Sequence, residues 1–104
     1  MAVRKRIALL LGQAEEFYQC RFIDGFLKQA FEADLDVCIF SMYLKYQDTE
    51  AREKGDKRIY SLVNFDLFDA VVVLPDTIQT PGMAGEIEDR IKAEFNGPVL
   101  YVDL

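Results

Sequence analysis

Gln13, Glu16, Phe17 and Tyr18 follow a single glycine, Gly12, at the end of an apolar run in the stretch 7–20, IALLLGQAEEFYQC. Aromatic rings beside an amide and carboxylates suit a small neutral polar or cationic ligand such as a sugar, a nucleoside or an amine. Ser41, Tyr43, Asp76, Thr77 and Asp103 each stand just past, or at the end of, one of three further apolar runs. If those runs are parallel strands, all these residues meet at the carboxyl edge of one sheet, where open α/β folds hold ligands.

The same loops exclude several chemistries. A dinucleotide turn needs GxGxxG, whereas one glycine followed by Glu15 and Glu16 would repel a pyrophosphate. The GxxxxGK[ST] phosphate loop is absent, as is the Ser/Thr/Gly-rich turn of a flavodoxin-type FMN site. A receiver domain needs acids at the end of strand 1, but that strand ends in Gly12-Gln13 and leaves only Asp76. With no histidine in the chain, most acid–base, triad and zinc chemistries are excluded or weakened. Cys20 falls inside a helical segment and Cys38 inside an apolar run. They form neither a redox pair nor a disulfide framework, so both are expected to be buried thiols in a reduced cytoplasm. No cofactor is implied.

The elements that would position these groups follow from periodicity. Apolar runs at 7–11, 37–40, 71–74 and 99–102 recur at intervals of about thirty residues, and none alternates with polar residues. Continuous apolar strands of this kind are covered on both faces, as in a parallel sheet between helices. The first helical segment, about 15–33, carries Cys20, Ile23, Leu27, Ala30 and Phe31 on one face. A second stripe beside it, Tyr18, Phe22 and Phe26, suggests a further contact surface. A second helix is expected from about Thr49, weakened by Gly55 and packing Ile59, Leu62 and Val63. The third has Thr80 as N-cap and Pro81 at its first position, a stripe of Ala84, Ile87, Ile91 and Phe95, and a stop at Asn96-Gly97. The resulting order, β-α-β-α-β-α-β, predicts an open, doubly wound, parallel α/β sheet in three layers with strand order 2-1-3-4.

At 104 residues the chain is one Rossmann-like domain. Twelve basic against eighteen acidic side chains give a net charge of -6, the wrong sign for direct nucleic-acid binding. Arg4-Lys5-Arg6 is read as a solvated strand start rather than a phosphate-binding arm. No apolar run approaches the roughly 20 residues that span a bilayer, and no signal-peptide pattern opens the chain, so neither a membrane nor secretion is expected. The apolar end, Tyr101-Val102-Asp103-Leu104, reads as a strand that something should cover. The chain is therefore expected to be one lobe of a longer multidomain protein.

A specific sequence order accompanies this rhythm. RIALLLG precedes Phe17-Tyr18, Gly25 lies inside RFIDGFLKQAF, and Ser41 follows DVCIF. IYSLVNF then leads to Asp69-Ala70 before VVVLP, and GPVLYVDL ends with Asp103. This order resembles the N-terminal lobe of the periplasmic-binding-protein type I superfamily, in the version used by lac-repressor-like sensor domains. It also looks like sensor domains placed ahead of diguanylate cyclase (GGDEF) modules. Ala70 departs from the family's usual glycine, Leu35-Asp36 from its Gly-Tyr, and the loop after strand 1 lacks its Asn-Pro.

The resemblance implies a non-catalytic sensory lobe of a bacterial signalling or regulatory protein, with ligand held between two lobes. Phe17 or Tyr18 would stack on the ligand, and Gln13, Asp76 and Asp103 would bond to it. It further implies a homodimer through this lobe, for which Phe22 and Phe26 are the candidate contacts, and an output module beyond Leu104. Two other classes fit the same residues. One is a small flavodoxin-like enzyme or receiver-like phosphoacceptor using Asp76, and the other is a pure dimerisation module.

Overall fold

A computed structural model describes residues 5–14, 16–42, 60, 62–78 and 82–102. Four strands, β1 (Arg6–Gly12), β2 (Asp36–Met42), β3 (Ala70–Val73) and β4 (Val99–Tyr101), form one all-parallel sheet of order β2-β1-β3-β4. The central strand pairs Ile7 with Val37 and Leu10 with Phe40 on one side. On the other it pairs Ile7 with Ala70 and Leu10 with Val73. Outside β3, Val71 pairs with Val99 and Val73 with Tyr101. This is the expected doubly wound order, and its switch point lies between β1 and β3.

Successive residues of a strand face opposite sides, which divides the core in two. Ala8, Leu10, Val71 and Val73 face helix α2 (Met83–Glu94) through Met83, Ile87 and Ile91, joined by Tyr60, Val63 and Phe65. Leu9, Leu11, Val72 and Leu74 face helix α1 (Phe17–Glu32) through Phe22, Ile23 and Phe26. The helices thus lie on opposite faces of the sheet, and the fold has three layers. Two short 3₁₀ turns, Phe65–Leu67 and Pro75–Thr77, flank β3.

Several local expectations are corrected. The stripe of α1 that covers the sheet is Phe22, Ile23, Phe26 and Ala30, while Leu27 and Phe31 remain 39% and 79% exposed. The Phe22 and Phe26 rings, stacked at 5.7 Å, pack against Leu9, Leu11, Val72 and Leu74. Of the second helix, expected from Thr49, only its end lies within the described residues. There Tyr60 and Val63 are buried while Leu62 faces solvent. α2 begins at Met83, two residues later than expected. Its N-cap is Gly82 at φ 78, a left-handed conformation; the expected N-cap Thr80 and first position Pro81 lie outside the described residues. Its last helical residue is Glu94, and Phe95 turns extended so that its ring joins the core. Neither thiol is buried as expected: Cys38 is exposed on the edge strand β2, and Cys20 is half-buried on α1.

On the β4 side, Lys92 meets Glu88 at 2.9 Å on the surface of α2. The Glu88 hydrogen bond and charge raise the Lys92 ammonium above its ordinary 10.5. Burial, and then the Glu88 charge, raise the Tyr101 phenol above 10.0. Both groups hold their protons more tightly folded than unfolded. Their contribution is therefore present below the unfolded values and is lost as pH rises through the folded ones. Glu88→Gln is expected to destabilise the chain less at alkaline pH than at neutral pH, as read by urea melts on both sides of this range. A mutant difference that stays constant with pH would contradict this coupling.

Candidate functional site

The carboxyl end of β1 is tied into its surroundings atom by atom. Thr77 Oγ1 accepts a hydrogen bond from Gly12 N at 2.8 Å and donates to Leu74 O at 2.6 Å. Tyr60 donates its phenol to Leu11 O at 2.6 Å. Ala14 N donates to Ser41 Oγ at 3.2 Å, Cys20 Sγ to Ala14 O at 2.9 Å, and Gln19 Nε2 to Gly12 O at 3.4 Å. β1 and the turn after β3 approach so closely that a Cβ on Gly12 would lie 2.2 Å from Thr77 O. Gly12 is thus required by close backbone contact, a role separate from any phosphate cradle.

Gln13, Ser41 and Thr77, expected as ligand contacts, are all buried. The Thr77 hydroxyl is engaged with backbone on both sides, and Ser41 Oγ holds the start of the β1–α1 loop. Gln13 is 3% exposed, sits at φ 57, and donates Nε2 to Thr77 O at 3.3 Å. A left-handed backbone is uncommon outside glycine, and here it carries the chain from β1 into the loop that ends at Glu16.

Phe17 and Tyr18 open α1 in full view of solvent, 64% and 73% exposed, with rings edge to face at 5.4 Å and 77°. The Arg21 guanidinium lies 5.7 Å from the Phe17 centroid, within cation–π range. Glu16 is half-buried at the N-cap of α1 and makes no side-chain cap, and Asp76 is exposed in the turn after β3. The sheet therefore brings Gln13, Glu16, Phe17, Tyr18, Asp76 and Thr77 to the same edge. Tyr43 and Asp103 lie outside the described residues. Phe22 and Phe26, the expected dimer contacts, pack against Leu9, Leu11, Val72 and Leu74.

Sequence reasoning missed Tyr60 and Arg90. Tyr60 stands beside the expected stripe of Ile59, Leu62 and Val63 and was not among its members. Arg90 reaches from α2 to the Tyr60 and Val63 carbonyls at 2.9 and 2.6 Å, which no local pattern announces. Among the described residues, two grooves open away from the carboxyl edge. One, of about 480 Å³, is lined by Leu27, Phe31, Leu35 and Val37; the other, of about 430 Å³, lies beside Phe65 and Arg90.

The fold and this edge define an open parallel α/β fold whose switch point carries an exposed aromatic pair. Comparison with family models, with curated proteins and with solved structures returned no match to the chain.

Proposed function

We propose that the chain is a non-catalytic, ligand-sensing lobe of a bacterial signalling or transcription-regulatory protein. The observation that carries this reading is the solvent-facing Phe17–Tyr18 pair at the switch point of a parallel sheet. Large rings left in water at the edge where such sheets bind ligands are costly unless something covers them. Gln13 and Asp76 on the same edge supply hydrogen-bonding groups. The residue order that resembles lac-repressor-like sensor lobes supports the same reading. A second lobe closing over the ligand would shift a two-state equilibrium, which an attached module such as a diguanylate cyclase would read. Cytoplasmic placement and homodimer formation belong to this proposal. With Phe22 and Phe26 packed inward, the apolar surface that α1 offers a second copy is Leu27 and Phe31.

No observation favours the phosphoacceptor reading, since the described residues contain no group of three acidic, histidine or cysteine side chains able to hold a metal ion beside Asp76. A thermal-shift screen of sugars, nucleosides and amines on the full-length protein tests the sensing role. Tyr18→Ala is expected to remove the shift given by any hit while leaving the unliganded melting temperature unchanged, because the ring is mostly exposed. A screen without hits, or a hit that survives Tyr18→Ala undiminished, counts against it.

A further inference from the structure

We infer that the ligand held at the carboxyl edge is a protonated amine bearing a flat ring, received by Gln13 Oε1 and the Asp76 carboxylate; this rests on the sensing reading above. Gln13 is the unusual residue of the edge. Its side chain is buried, its Nε2 is bonded to Thr77 O, and its Oε1 has no partner among the described residues. A buried acceptor without a donor is costly, and the left-handed backbone at φ 57 adds a second penalty at the same residue. Two penalties on one side chain at a switch point mark a group kept for an incoming donor.

The other polar atoms of the edge decide the ligand's charge. Gly12 N and Ala14 N are bonded to Thr77 and Ser41, and the hydroxyls of Thr77 and Tyr60 are donated to backbone carbonyls. The Arg21 guanidinium lies over Phe17. Glu16 stands at the N-cap of α1, where its carboxylate disfavours a second anion. What remains is a set of acceptors and ring faces: Gln13 Oε1, the exposed Asp76 and the Tyr18 ring. Acceptors call for a donor, a ring face attracts a cation, and a chain of net charge -6 draws cations from solution.

Phenethylamine, 2-phenylethanol and phenylacetate share one ring and differ in charge, so an NMR titration of the full-length protein with each separates the terms. Phenethylamine is expected to shift the Gln13 side-chain amide and the Tyr18 resonances, and to bind about tenfold more tightly than phenylacetate. Asp76→Asn, at an exposed position, should weaken phenethylamine by about tenfold, the loss of one charge-assisted contact. Gln13→Leu should weaken it similarly; because it also gives up the Nε2–Thr77 O bond, its binding is read well below its own melting temperature, measured alongside. Phenylacetate binding as well as the amine overturns the inference and leaves an aromatic-binding edge in place. Silence from all three probes also overturns it, and the Tyr18→Ala screen then judges the sensing reading separately.

Discussion

Gly12→Ala is expected to destabilise the lobe by about 3 kcal/mol, near the upper end for overpacking in a well-packed site. The added methyl would sit 2.2 Å from Thr77 O and 3.3 Å from the Ile78 Cα, and both are backbone atoms that cannot rotate away. Relief requires β1 and the turn Pro75–Thr77 to separate. That movement breaks the Gly12–Thr77 hydrogen bond and loosens Gln13 from Thr77 O. Against a typical domain stability of roughly 5–15 kcal/mol, the loss should be plain in the urea midpoint. Gly25→Ala serves as the control: nothing lies near its Cβ position, and alanine favours the helix. If Gly12→Ala melts like the Gly25 variant, the close approach at the switch point is wrong.

Arg90→Ala should cost about 2–3 kcal/mol, as expected for charged hydrogen bonds to backbone lost from a partly covered site. One guanidinium bonds the Tyr60 and Val63 carbonyls, pairs with Glu94 at 2.6 Å, and lies 4.9 Å from the Phe65 centroid. The contacts differ in weight. The Glu94 pair is an i,i+4 bridge whose Glu94 side is half exposed to solvent, so Glu94→Gln should cost no more than about 0.5 kcal/mol. The carbonyls need two donors in one plane, which a lysine cannot present, and Arg90→Lys should therefore recover less than half of the alanine loss. Denaturant melts of the three variants give the test. A Glu94→Gln loss as large as that of Arg90→Ala would assign the effect to the ion pair instead.

The sheet was legible because its signals are local and repeated. Each strand is an unbroken apolar run, the intervening segments have helical period, and right-handed crossovers then leave few orders to choose from. The rotation of α1 was not, because its apolar residues occupy two adjoining stripes and local periodicity cannot say which meets the sheet. Phe22 and Phe26 prevail over Leu27 and Phe31 only once Leu9, Leu11 and Val72 stand opposite them. Placement of the candidate site followed from the strand ends, and Phe17, Tyr18 and Asp76 are indeed at that edge. The inward roles of Thr77 and Ser41 arise from tertiary approach. Thr77 meets Gly12 across 65 positions of sequence, and no window of neighbouring residues contains both partners.

The central place of β1 also has a consequence for synthesis. Of the four strands β1 comes first in sequence, and its second neighbour, β3, comes only after β2 and the segment that follows it, with the Gly12–Thr77 lock later still. Until then Ile7 to Leu11 can pair at most with β2, and a continuous apolar strand stays open on one side. Non-local parallel pairing of this kind is slow and exposed to aggregation. The nascent chain thus passes through a stage in which its most hydrophobic segment is the natural footprint for a chaperone.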